Sequence, residues 1–210
     1  MEALELPRRG RRDRMPAGPF AGVLRAQSGR GLLELLVALS LAIVMAAAAI
    51  PKAQSMVHES RLRGAAFYLR GLMRQVRANA AAKACYMGVV FGEVDGNPVF
   101  SIHADGNANG IRRVDVDGGV DPMLRQPYRL SETFPGVRYG RLPAGAKDPF
   151  MRGLQIGRSH IVSFSPLGSS TTGTLYLSND YGLVYAVVIF GSTGRVRVAR
   201  YRGDGKWEAM

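Results

Sequence analysis

Residues 32–50 read LLELLVALSLAIVMAAAAI, a run of 19 residues with a single charge, Glu34. At about 1.5 Å per residue such a run makes a helix of roughly 28 Å, close to the thickness of a bilayer's hydrocarbon core. This feature restricts the chain more than any other. A stretch this long and apolar is either a membrane span or the inside of an assembly, and one domain of modest size offers it no other hiding place. The carboxylate inside it is costly in lipid, which makes Glu34 a functional residue by default. A glutamate reaching back to the headgroups is the alternative, and its short side chain reaches poorly.

The flanks give the run a direction. Residues 1–29 hold Arg8, Arg9, Arg11, Arg12, Arg14 and Arg25 against Glu2, Glu5 and Asp13, together with Pro7, Pro16 and Pro19, and show no periodicity. They read as a basic leader. Positive charge ahead of the apolar run predicts a cytoplasmic N-terminus and export of everything after Lys52. A secretory signal peptide has a shorter apolar core followed by a small-residue cleavage site, and no clear A-x-A site precedes Pro51. A plain signal anchor fits the length and leaves Glu34 unexplained.

The run Gly29-Arg30-Gly31-Leu32-Leu33-Glu34-Leu35 resembles the prepilin signature of type IV pilins and type II secretion pseudopilins. The resemblance implies cleavage by prepilin peptidase after Gly29, N-methylation of Arg30, and a glutamate at the fifth mature position, Glu34. It also places Pro51 at mature position 22, where members of the family often carry a helix-kinking proline. In the family the glutamate neutralises the N-terminal amine of a neighbouring subunit, which agrees with the need of a buried carboxylate for a partner. Two features depart from the pattern: the first mature residue is Arg30 where the family usually has Phe, and the leader is long.

Beyond Pro51 the helical period continues. Leu62, Ala65, Leu69, Leu72, Val76 and Ala80 recur at steps of three or four, and Arg63, Arg70, Arg74 and Arg77 follow another face. One helix from Leu32 to Lys83 is therefore expected. The arginine row suits an anion, and it equally suits a solvated helix face. From Cys85 the pattern changes to strands and turns. A hairpin is expected from 85–92 and 99–104 around 93–98, with further strands at 127–131, 136–139, 160–164, 173–178, 183–190 and 195–201. The expected fold is α+β: a long N-terminal helix, membrane-spanning in its first half, packed on an antiparallel β domain. The segments are the leader 1–29, a membrane or filament-core helix 30–51, its amphipathic continuation 52–84, and a periplasmic β-rich domain 85–210.

The final third, with Phe164-Ser165-Pro166-Leu167-Gly168, Gly173-Thr174-Leu175-Tyr176-Leu177 and Gly194-Arg195-Val196-Arg197-Val198, is similar to the GspH/FimT group of minor pilins. That resemblance implies a structural subunit of a type II secretion pseudopilus acting in protein secretion, or a DNA-binding minor pilin of a type IV pilus used in DNA uptake. The implied partners are prepilin peptidase, other major and minor pilins or pseudopilins, the membrane, and secreted protein cargo or DNA. The implied location is the bacterial inner membrane, crossed once, with assembly into a pilus or pseudopilus. In FimT-like members a G-R-x-R element binds DNA. Here it is Gly194, Arg195 and Arg197, whose arginines share one strand face at a spacing of roughly 6.6 Å. A plain signal-anchored periplasmic binding protein stays open beside both.

The formal net charge of +12 and the use of 24 Arg against 4 Lys agree with an anionic partner, because arginine is the better phosphate fork. Asp105-Gly106-Asn107-Ala108-Asn109-Gly110 has the order of a calcium loop, with Asp105, Asn107 and Asn109 as oxygen ligands. The glutamate expected at its twelfth position is missing, and a loop of this composition turns without metal. One cysteine, Cys85, excludes an internal disulfide framework and multi-cysteine metal sites. No nucleophile elbow, phosphate loop or dinucleotide fingerprint is present, so no enzyme and no resident cofactor are expected.

Overall fold

The computed structural model describes residues 30–140, 153–203 and 205–210. The chain divides into two units, Met1–Ile50 and Pro51–Met210. A single helix, α1 (Arg30–Lys83, 54 residues), runs through the division. In the first unit every described side chain from 31 to 50 is exposed, including Leu32, Leu33, Leu35 and Leu36. Its most apolar stretch has a mean hydropathy of 2.5 and no burial, so the helix is long and apolar enough to cross a membrane.

The second unit is built around the rest of α1. Leu62, Ala65, Leu69, Leu72, Val76 and Ala80 form the buried stripe anticipated from their spacing, widened by Ala66 and Met73. Gly64 has a packing reason: a Cβ there would stand 2.9 Å from the Phe134 ring. The helix stops through the backbone. Ala84 takes φ 51°, its N–H bonds Ala81 O at 3.3 Å, and the Cys85 N–H bonds Ala80 O at 3.2 Å. This is a Schellman ending with alanine where glycine is usual.

After α1 come β1 (Met87–Val94), β2 (Asn97–Ala104), α2 (Arg113–Asp117), β3 (Met123–Arg129), α3 (Leu130–Thr133) and β4 (Arg138–Tyr139). They are followed by β5 (Leu154–Gln155), β6 (Ile161–Phe164), β7 (Gly173–Ser178), β8 (Val184–Phe190), β9 (Arg195–Gly203) and β10 (Lys206–Ala209). Two antiparallel sheets form, in the orders β3-β2-β1-β6 and β10-β9-β8-β7-β4, with β5 also pairing β7. Phe91, Phe100 and Phe164 from the first sheet and Leu175, Tyr185, Val187 and Ile189 from the second join the buried α1 stripe in one core. The fold is α+β, as expected.

The differences from expectation are local. The β1–β2 connection shrinks to Asp95-Gly96, both at positive φ (52° and 75°), the two-residue turn that matches strand twist. The strand expected at 127–131 is Met123–Arg129, and the chain coils into α3 at Leu130, which is fully buried. The strand expected at 136–139 keeps only Arg138–Tyr139. Four short elements, α2, α3, β5 and β10, were not expected. Each is five residues or fewer, too short for periodicity to register.

Candidate functional site

The β8–β9 hairpin sets two side-chain rows. Val196 and Val198 face the core opposite Ile189 and Val187, so Arg195 and Arg197 face outward together. The Arg197 guanidinium lies over the Phe190 ring, 5.4 Å from its centroid. Gly194 ends the connecting turn at φ 58°. A Cβ there would meet Gly168 O at 2.5 Å and Arg77 Nε at 3.0 Å. The glycine is thus needed twice, for its backbone angle and for the space taken by the Gly168 carbonyl, with Arg77 close beside it.

Arg77 comes from α1, and it does not come alone. Arg70, Arg74 and Arg77 join Arg195 and Arg197 around one cavity of about 330 Å³, with Gly194 in its wall. Val196, Ala209 and Met210 complete its lining, which holds no Asp or Glu side chain. Among the described residues the ion pairs are Arg138–Asp180, Arg200–Glu59 and Arg202–Glu208, and none of the five cavity arginines takes part. Uncompensated positive charges in one concavity raise the local potential and attract anions. Each guanidinium offers a planar fork of donors suited to phosphate oxygens. The helix arginines that could be read as a solvated face are therefore one wall of the cavity. Arg63, the first of that row, lies outside it, over the Phe67 ring at 5.6 Å. The sequence carried a hint in the matching arginine rows, and only the tertiary packing brings them together.

The opposite face of β9 behaves differently. Arg200 pairs with Glu59 of α1 at 2.7 Å and is partly buried, and Arg202 pairs with Glu208 of β10 at 2.6 Å. These arginines are structural ties.

At the other end of the chain, Gly29 lies outside the described residues. Arg30 is the first residue of α1, Glu34 follows it by one helical turn, and Pro51 lies inside α1. Glu34 has no ion pair or hydrogen bond among the described residues.

The side-chain oxygens of Asp105 and Asn107 accept backbone amides of their own loop. Asp105 accepts from Asn107 N at 3.1 Å and Gly110 N at 2.7 Å, and Asn107 Oδ1 accepts from Asn109 N at 3.3 Å. Asp121, nearly fully buried, accepts from Gly106 N and Arg112 N and pins the loop from behind. Asp105 and Asn107 thus head Asx turns, in which Asn109 takes part through its backbone N–H. Among the described residues no group of three or more His, Cys, Asp or Glu is placed to hold a metal ion.

A serine–histidine contact does occur: Ser101 Oγ is 3.0 Å from His103 Nε2, and His103 Nδ1 is 3.1 Å from Asp121 O. The carbonyl can only accept, so Nδ1 carries a proton. Both side chains are buried in the first sheet, and the pair serves as a satisfied polar network. Cys85 is free and half-buried. The described residues hold no catalytic arrangement.

Compared with known proteins, the chain matches no family model, no curated protein and no solved structure. Its architecture is nonetheless definite: a helix long and apolar enough to span a membrane, whose continuation packs on antiparallel sheets, which is the generic type IV pilin-like arrangement.

Proposed function

We propose that the chain is a minor pilin-type subunit whose globular unit binds DNA through the arginine cavity, serving DNA uptake by a type IV pilus. The observation that carries the DNA reading is the cavity itself: guanidiniums from α1 and β9 around one space, with no Asp or Glu side chain among them. A phosphate backbone is the polyanion that such forks suit, and its contacts would be independent of sequence and weakened by salt. In this reading prepilin peptidase removes residues 1–29, Arg30 is methylated, and the N-terminus stays on the cytoplasmic side of the inner membrane. The globular unit is periplasmic. Glu34 neutralises the amine of a neighbouring subunit as the helix enters the filament, because a carboxylate in an apolar bundle needs a positive partner.

A second reading is a structural subunit of a type II secretion pseudopilus. The observation favouring it is apolar surface around α2 and β3, where Val114 is 79% exposed and Val120, Met123 and Leu124 are also open. Exposed apolar side chains of this kind suit a neighbouring subunit or secreted cargo.

The test uses the full chain in nanodiscs of zwitterionic lipid, titrated with labelled duplex DNA at several salt concentrations beside an Arg195→Ala/Arg197→Ala variant. The expected result is binding whose logarithmic salt slope is shallower in the variant by about 2, one unit for each lost phosphate contact. Absence of binding at low salt would remove the DNA reading and leave the pseudopilus subunit.

A further inference from the structure

The rim of the arginine cavity carries a feature that phosphate binding does not use. The turn Ser165-Pro166-Leu167-Gly168 follows the fully buried Phe164 and is braced on both sides. Ser165 N–H bonds Ser169 O at 2.8 Å, Gly168 N–H bonds Ser165 O at 3.0 Å, and the two serine hydroxyls lie 2.7 Å apart. Gly168, at φ 91°, packs against Arg77 so closely that a Cβ would stand 3.2 Å from its Nη2. On the tip of this fixed turn Leu167 is 97% exposed, the most exposed of the large apolar side chains among the described residues. Leu167 borders a groove of about 530 Å³ that Ala78, Ala81, Pro166 and Gly168 also line. Its charged wall is Arg74 and Arg77, which also line the first cavity.

A leucine held rigidly in water gains nothing from the fold. Beside guanidiniums with no ion-pair partner it has a physical use, because proteins that enter the DNA minor groove with basic side chains frequently push an apolar side chain between base steps and kink the duplex. We propose that Leu167 is such a wedge: it enters the base stack of duplex DNA whose phosphates lie against Arg74, Arg77, Arg195 and Arg197. The inference rests on the DNA-binding reading. It adds a contact with bases, and with it a bend, to what would otherwise be a contact with phosphates alone.

The full chain in zwitterionic nanodiscs would be mixed with a duplex carrying donor and acceptor dyes at its ends, and energy transfer read at saturation. Wild type is expected to bend the duplex by an angle in the range of about 20–90°. Leu167→Ser should bind with an unchanged salt slope, straighter DNA, and affinity lower by about tenfold at most, since leucine burial and base unstacking partly cancel. Leu167→Phe, which keeps an apolar wedge, should restore the bend. Leu167 makes no buried contact, so folding should be unaffected, and equal thermal melting of the variants checks this. If wild type and Leu167→Ser both bind and give the same energy transfer, the wedge is overturned while DNA binding stands. If wild type binds no DNA at low salt, the parent reading fails and the wedge with it.

Discussion

At Tyr139 and Tyr185, burial acts together with neighbouring charges on a phenol. Burial is the larger cause that pushes the Tyr139 phenol above its ordinary value of 10.0, and the charge of Glu93 adds to it. Burial also raises Tyr185, against the opposing charge of Arg200. A phenol raised on folding is held neutral by the fold, so the unfolded chain gives up its proton first as pH passes 10. The stability these groups contribute is complete below that pH and declines above it. Thermal melting between about pH 8 and pH 11 should therefore show an alkaline loss, and Tyr139→Phe should soften it. An equally steep loss in the variant would place its origin elsewhere. The Tyr185 hydroxyl also has no hydrogen-bond partner among the described residues, so Tyr185→Phe should leave stability unchanged or raise it by about 1 kcal/mol.

Among the elements, α1 shows most clearly what was legible in the sequence. Its apolar stripe follows from spacing, because a helix buries whatever repeats every three or four residues. Its end does not follow from sequence, since alanine has no preference for the left-handed angle that Ala84 adopts. Ala84→Gly should accordingly stabilise the second unit by about 1 kcal/mol, readable as a raised melting temperature in detergent. No change would mean that the unfolded-state freedom of glycine offsets the relieved strain. Strands β6 to β9 were legible for the same reason as the stripe, through alternation and bounding glycines. The short elements were fixed by single events: the burial of Leu130, and the register of β10 against β9. The arginine cavity was half legible. Arg195 and Arg197 declare themselves by alternation on a strand. Arg70, Arg74 and Arg77 become part of the site only through a packing arrangement that no local pattern encodes.

For the whole molecule, the decisive experiments concern processing and assembly. On the pilin-type reading, expression of the full chain with a prepilin peptidase should shorten it by the leader, with the cut after Gly29 visible by mass spectrometry. A chain that keeps its full length would favour an ordinary membrane anchor. Glu34→Leu should still insert and still be cut, because it makes the span more apolar, yet it should fail to enter filaments, since the partner for the neighbouring amine is gone. Filaments that incorporate the variant at wild-type levels would remove that role from Glu34.

Strand β9 builds the fold with Val196 and Val198 and presents its charge with Arg195 and Arg197. Because the two duties fall on alternate residues, mutation can explore one without disturbing the other. Descendants of this chain could raise, lower or abandon their hold on an anion by changing outward residues alone, while the hydrophobic face stays under its own selection. Such a strand lets one scaffold diverge in partner while keeping its shape, and it gives an engineer a ready place to write a new specificity.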